Sequence, residues 1–584
     1  MRKQFQIAAV ISAAALLAIG ASMTSFAATG WQEEDGTWVY YNKAEEKVTD
    51  KWAKSGDNWF YLDGDGYMAT DMLIEDDDDY YYVDANGAMV RNQWIAIDNE
   101  DAGNDDDEPE VHWYYFQNNG KAYRKKGSTS VFKKSINGKT YCFNEDGQMQ
   151  YGWVSDEGET DFEDDAWSNC QYYFGDENDG AMSVGWRLIS ITDEVSDTDN
   201  LQPGDAFWDE DQDRWFWFKS SGKKQTDKDN KTINGKKYGF DEYGRMVADW
   251  YTKDATETIA TPGQVDTPAT VPDAQGKESY TETFMYFSSP EDGARYTKGW
   301  FKVVPGYYLQ KGKYDDGDSY WYYADGKGHL IASEIKTIKS KKYAFDNYGR
   351  MKKGLQFITF AEAGETKQIA SVLADDDYDV IAGFKGYDNE DNFDETVRNL
   401  ISDLQTGKYA FYFFSNDEDH DGSMKTGKQN ITLDGDNFTF RFYNSGARKG
   451  QGITGVDDKK IYVGGKLIAA DKDNKVEFFA LQNIGTDDII KGKKYTISDL
   501  IREGIIVPNG TSKSGDEAYY KTADAYAGTK FAQYFVPVNT SGAILTSGTK
   551  KDGDDYKIAL SSTTTTILGK AGVKTGYITK ITLK

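Results

Sequence analysis

Histidine, cysteine and proline are scarce in this chain. Of its 584 residues, three are His, two are Cys and nine are Pro. So few imidazoles and thiols leave little from which to build a zinc or iron–sulfur centre or a Cys/His dyad. No metal and no cofactor are expected. A basic surplus is missing too: 97 acidic side chains outnumber 67 basic ones, for a formal net charge of −30. A phosphate backbone needs a Lys/Arg surface to replace its counterions, so nucleic acid is excluded as a partner. Beyond residue 21 no run is long and apolar enough to span a bilayer, which takes about 20 residues of helix. Rings, by contrast, are abundant: 41 Tyr, 30 Phe and 15 Trp, or 15 % of the chain. Acidic disordered segments lack aromatics, so this composition belongs to folded domains, and the length allows about three or four of ordinary size.

The two ends differ from the middle. Arg2 and Lys3 precede an apolar run from Ile7 to Ala21, and Ser25-Phe26-Ala27 follows. That order is a secretory signal peptide over residues 1–27, with an exported chain starting near Ala28. The last residues, Ile581 to Lys584, carry no hydrophobic tail or sorting motif, so attachment to a cell is expected to be non-covalent. All fifteen Trp lie between Trp31 and Trp321, and residues 472–584 have no Trp, Cys or His and a net charge of +4. This shift marks 472–584 as a separate module.

Between the ends the chain repeats. Trp31, Trp52, Leu73 and Trp94 are 21 residues apart, as are Gly66 and Gly87, and Met68 and Met89. Each unit reads Gly-Trp, a polar stretch, an aromatic run such as Trp59-Phe60-Tyr61-Leu62, a turn with Gly, and then x-Met. A second flavour appears in Ile136-Asn137-Gly138-Lys139-Thr140-Tyr141 and Ile233-Asn234-Gly235-Lys236-Lys237-Tyr238. Fixed-period self-similarity means stacked supersecondary units. Aromatic runs favour strands, and Asp65-Gly66, Asn86-Gly87, Asn119-Gly120 and Asp146-Gly147 are read as the tight hairpin turns. One hairpin is marginal alone; about fourteen of them over residues 28–471 stabilise one another as neighbours. The expected fold is therefore all-β: a β-hairpin repeat solenoid with loop insertions, followed by a small β-rich domain at 472–584. Residues 253–282 hold three of the nine Pro and read as a flexible excursion. The 358–407 insertion places Val397, Leu400, Ile401 and Leu404 at helical spacing, so one short amphipathic helix is expected there, capped by Asn392 or Asp394 and ended by Gly407. In the last module Ser498 to Gly504 suggests a helical turn capped by Ser498.

Side chains alternate across a strand. Trp59 and Tyr61 thus share one face, and Phe60 and Leu62 the other. Two or three rings can meet where one hairpin adjoins the next. Such a box attracts a quaternary ammonium by cation–π interaction, worth on the order of 2 kcal/mol when desolvated. The same flat faces stack on sugar rings, and the acidic surplus favours a cation nearby. The competing reading is that the rings are simply the core of a fold with few aliphatics.

The Gly-Trp … Gly-x-Trp-Tyr-Tyr … Gly-x-Met units resemble the cell-wall-binding, choline-binding-type repeats of Gram-positive surface proteins. The Ile-Asn-Gly-Lys-Lys-Tyr-x-Phe-Asp-x-x-Gly-Arg-Met version is also similar to the carbohydrate-binding repeats of clostridial toxins and glucan-binding proteins. The resemblance covers roughly residues 30–471. It implies a secreted, wall-associated binding protein that docks on choline-bearing teichoic acid, cell-wall polysaccharide or a host glycan. Carried over, the ligand-binding positions are Trp31, Trp38, Trp52, Trp59, Trp94, Trp113, Trp153, Trp186, Trp215, Trp300 and Trp321, with Met68 and Met89 nearby. Leu73 stands for the leading Trp of the third unit and Tyr80 for its second.

Sharper chemistry competes with this reading. Asp417-x-Asp419-x-Asp421-Gly422 has the opening spacing of a calcium loop, yet Lys428 stands at the twelfth position where Glu is needed. The same residues fit an ordinary turn. Cys142 and Cys170 fall in successive hairpins, so either a disulfide or two buried thiols is open. The alternative function is a wall hydrolase or toxin-like adhesin whose repeats only target it. A hydrolase would need its own domain, and 472–584 has no His or Cys for zinc or Cys/His chemistry. No motif marks a carboxylate pair, and the chain is expected not to be an enzyme.

Overall fold

The computed structural model describes residues 29–100, 102, 109–192, 212–252, 280–378, 380–416, 421–484, 488–515, 517–553 and 555–583. The signal peptide, most of the 253–282 excursion, the acidic run at Asp105–Glu108 and residues 417–420 of the calcium-like stretch lie outside them.

Antiparallel hairpins make up most of the chain. In the first, Gly30–Glu34 pairs with Thr37–Tyr41 in a register that sets Trp31 opposite Tyr40. Lys51–Ser55 and Asn58–Leu62 follow with Trp52 opposite Tyr61, and the same register recurs at Trp94–Tyr115, Trp153–Tyr173 and Trp300–Tyr323. The strand reversals differ from expectation. They occur at Asp35-Gly36, Asn137-Gly138 and Asn234-Gly235, where both residues have positive φ, as a two-residue turn matched to strand twist requires. Asp65-Gly66 and Asn86-Gly87 close a second turn, behind the hairpin. There Asp63 Oδ1 accepts the N–H groups of Asp65 and Tyr67 at 3.0 and 2.8 Å, and Gly66 N–H donates to the Asp63 carbonyl at 2.9 Å. This Asx-anchored turn needs positive φ at its Gly alone.

That second turn links one hairpin to the one before it. Met68 N–H donates to the Trp38 carbonyl of the preceding hairpin at 2.7 Å, while Ala69 N–H donates to Tyr61 of its own hairpin at 2.9 Å. The same rung runs from Met89 to Trp59, Ala122 to Tyr80, Met182 to Thr140, Lys224 to Gln171 and Met246 to Trp215. Further along it joins Leu330 to Phe284, Met351 to Trp321, Met424 to Lys342 and Gly452 to Phe411. Within each compact unit consecutive hairpins are therefore stitched by main chain. Side chains fill the seam: Gly87 (φ +76) leaves no room for a Cβ, which would stand 2.9 Å from the Met68 Sδ and Cε. Gly-x-Met thus reflects packing of each Met under the glycine of the next turn.

The described chain forms two compact units, one reaching to Met246 without 229–239, the other made of those residues and everything from Val247 on. In the second, the 358–407 insertion contains two helices, Glu390–Asn399 and Ile401–Thr406, where one was expected. The break falls at Leu400, and the N-cap is Asn389, whose side chain accepts the Asn392 N–H, rather than Asn392 or Asp394. Starting three residues earlier buries Phe393 along with Val397, Leu400, Ile401 and Leu404. Gly407 closes the pair in the left-handed conformation, as its position implied.

Residues 472–584 are β-rich. Val476–Ala480 pairs with Phe535–Asn539, and a five-stranded sheet carries the long Tyr556–Ile567 and Lys570–Leu583 strands. The helix Ile497–Arg502 is capped by Thr496, two residues before Ser498, because Thr496 and Asp499 form a reciprocal capping box. The repeat's second turn appears here once more. Asn539 Oδ1 accepts from Ser541 and Ala543, and Ile544 N–H donates to the Lys459 carbonyl at 3.1 Å. No helix among the described residues is long and apolar enough to cross a membrane.

Candidate binding sites between consecutive hairpins

Four positions recur at each seam. The first is the leading residue of a hairpin and the second is the first aromatic of its return strand. The third is the middle aromatic of the next hairpin's return strand. The fourth is the residue after that hairpin's Asx turn. In the first junction these are Trp31, Trp38, Phe60 and Met68, all in one cluster. Trp31 meets its own hairpin's Tyr40 edge-on at 5.3 Å and Phe60 of the next hairpin at 5.3 Å and 73°. The walls are therefore near perpendicular, the arrangement that exposes ring faces to a shared space.

The set is complete at three further seams. Trp52 stands 5.1 Å from Tyr81 at 60°, while Met89 N–H holds the Trp59 carbonyl. Trp94 and Trp113 cluster with Tyr141 and Met149, with Trp94 4.9 Å from Tyr141. Trp300 and Trp321 cluster with Tyr343 and Met351, with Trp300 4.8 Å from Tyr343. A fifth seam places Trp186 6.0 Å from Trp215 at 86°, with Met246 bonded to the Trp215 carbonyl. Of the residues named from sequence, Trp153 alone lacks a partner Trp at the second position, where Gln171 stands. The leading and second Trp residues are half-buried throughout. Trp52 Nε1–H is fixed by Asp76 at 3.0 Å, and burial holds the phenols of Tyr81, Tyr141 and Tyr343 above their ordinary values, keeping those rings neutral. Neutral, electron-rich faces at right angles suit a quaternary ammonium.

The sequence reading missed the third wall. Phe60, Tyr141 and Tyr343 are buried in their own hairpins and Tyr81, at the matching strand position, is half-buried, and only the rung between hairpins turns that face towards the preceding Trp pair. Met149, Met246 and Met351 were also missed, although Gly147-Gln148-Met149, Gly244-Arg245-Met246 and Gly349-Arg350-Met351 repeat the Gly-x-Met signal of Met68 and Met89. Other seams lack the set. The Leu73 seam has Tyr80, Tyr114 and Ala122 in a mixed aromatic and aliphatic cluster. Trp250 is surrounded by Phe284, Tyr286, Phe301 and Tyr322, with Leu330 in the fourth position and its Nε1–H spent on the Val304 carbonyl at 2.7 Å. Cys142 and Cys170 are free and buried, and burial pushes both thiols up to about 12. They are protonated packing residues at neutral pH.

Residues 48–94 match the choline-binding repeat family. The match contains the whole Trp52, Trp59, Tyr81 and Met89 set. No curated protein sequence matches the chain. Among solved structures, the modular autolysin LytC of Streptococcus pneumoniae in complex with a synthetic peptidoglycan ligand is 16 % identical, at a TM-score of 0.29, over 57 % of this chain and 56 % of that one. The chain thus spans little more than half of the autolysin's length. Choline-binding protein F of the same organism is 15 % identical, at a TM-score of 0.19, over 76 % of this chain and 100 % of that one. The choline-binding domain of Spr1274, also from S. pneumoniae, is 27 % identical, at a TM-score of 0.13, over 17 % of this chain and 96 % of that one.

Proposed function

From a chain that carries a choline-binding repeat at residues 48–94, we propose an exported, non-catalytic surface protein that holds choline-bearing cell-wall polymers in the junctions between its hairpins. The observation that carries this is the four-residue set of two Trp, one inward ring and one Met, complete at Trp31, Trp52, Trp94 and Trp300. A positively charged trimethylammonium fits perpendicular neutral rings, and a polymer that presents many such groups engages several junctions at once. Teichoic acid bearing phosphocholine is the partner with that chemistry. The non-catalytic part of the reading rests on composition: no motif for hydrolysis stands outside the repeats, and 472–584 has neither His nor Cys.

The test is retention of the mature chain on immobilised choline and elution by free choline. Passage through choline, glucan and cell-wall matrices alike refutes the binding reading. Incubation with purified peptidoglycan is expected to release no reducing ends and no free amines. Release that one carboxylate substitution abolishes would replace this reading with a hydrolase.

A further inference from the structure

The Trp153 seam keeps the leading Trp and the inward ring of the complete junctions but differs at two positions, with Gln171 in place of the second Trp and Lys224 in place of the Met. Trp153 lies 5.2 Å from Phe216 at 73°, matching the 5.3 Å and 73° of Trp31 and Phe60. Where Met68, Met89, Met149, Met246 and Met351 stand elsewhere, this seam has Lys224. Its N–H makes the usual rung, to the Gln171 carbonyl at 2.7 Å. Its stem follows the course of the methionines, since a Cβ on Gly244 would meet Lys224 Cγ and Cδ at 2.7 and 2.8 Å. The side chain then ends inside the junction. Nζ lies 5.3 Å from the Trp153 ring centre and 6.0 Å from that of Phe216, and donates to the carbonyls of Trp167 at 2.5 Å and Ser168 at 3.3 Å. Lys224 is 1 % exposed.

A buried ammonium is costly unless groups around it replace water. Here two ring faces and two carbonyls, the latter presented by the short helical turn Ala166–Asn169, do so. The seam before it offers an independent parallel. Lys133 stands at the leading position, opposite Cys142 as Trp31 is opposite Tyr40, and its Nζ lies 4.5 Å from the ring centre of the third wall, Tyr172.

We propose that Lys224 is an intramolecular ligand: its ammonium occupies the cation position of the Trp153 junction and closes that junction to external quaternary ammonium groups. The proposal rests on the binding function above and adds to it which seams are vacant for ligand and which residue fills the Trp153 seam. Lys224 is thus an occupancy switch written into the sequence, and the array takes up fewer ligands than it has ring-lined seams.

The test uses the full chain with Lys224→Ala. The melting temperature is expected to fall, and n-propylammonium, which supplies the missing stem beyond Cβ and the charge, to restore it selectively. The wild-type chain should show no such gain, and the neutral isostere n-propanol should not substitute. Equal recovery by amine and alcohol, or by neither, overturns the proposal, since a lysine that only fills space with its methylenes gives that result. If Lys224→Ala does not fold, Gln171→Trp with Lys224→Met rebuilds the complete set. Titration with choline is then expected to count one more equivalent than wild type, and an unchanged count overturns the proposal. Wild-type protein that binds no choline would refute the function proposed above while leaving the amine–alcohol comparison decisive for Lys224.

Discussion

At the scale of the residue, each Trp of a complete junction is half-buried, so on the proposed function its packing and binding contributions can be separated. Trp52→Ala with Trp59→Ala removes two walls of one junction while Phe60 and Leu62, the buried side of that hairpin, stay in place. Ligand binding at that junction is expected to be lost, with a smaller proportional change in melting temperature. A chain that loses most of its stability while keeping its choline count contradicts the assignment. Asp552 makes a different residue-scale case. It is 5 % exposed, and burial, with help from the neighbouring Glu477 charge, pushes its carboxyl up to about 6 despite the N–H of Val476 donated at 2.9 Å. A folded pKa above the unfolded one favours the protonated form, so the contribution is fully present below about pH 4 and lost as pH rises through 6. Asp552→Asn keeps the acceptor and removes the titration. It is expected to stabilise the chain at pH 7 by up to roughly 3 kcal/mol, at about 1.36 kcal/mol per pKa unit, and to change little at pH 4. Equal shifts in melting temperature at the two pH values refute this.

At the scale of the element, the Asx turn and its glycine decide whether two hairpins register. Gly87→Ala asks a Cβ to sit at φ +76 and 2.9 Å from the Met68 side chain. The expected cost is about 1–3 kcal/mol, read as a lower midpoint in chemical denaturation, and Met68→Ala in the same chain should recover part of it by opening the seam. No recovery means the strain is backbone alone. Much of this level was legible beforehand. The 21-residue spacing of Trp31 and Trp52 located the hairpins, and alternation within Trp59-Phe60-Tyr61-Leu62 sorted buried from half-buried rings. Alternation describes one hairpin, however, and not which face of the next hairpin meets it. That pairing is fixed by the Met68 to Trp38 rung, which no local pattern encodes, and so Phe60 and Tyr81 were overlooked as walls. The helix start at Asn389 was missed because Asn392 and Asp394 offer equally good caps in sequence; burial of Phe393 decides among them.

At the scale of the whole molecule, the proposed function makes the distribution of complete junctions govern how a polymer is held. On that function each junction alone is a weak site, and retention on a multivalent surface comes from several acting through one tether. Trp300→Ala with Trp321→Ala is expected to lower retention on a choline matrix by an order of magnitude or more, while free choline binds the remaining junctions with unchanged affinity. Proportional losses in both measurements argue for a single dominant site instead. The charge of −30 acts at this level too, as a field that concentrates cations around the array and weakens with added salt.

Because each hairpin hangs from its predecessor by a peptide N–H, the scaffold is indifferent to the side chain that the donating residue carries. Met, Lys, Leu, Ala and Gly all serve there, at Met68, Lys224, Leu330, Ala122 and Gly452. On the binding function proposed above, a substitution at that position changes what a seam holds without altering how the chain winds, and where the second Trp is absent as well, as at Gln171, two positions set the outcome.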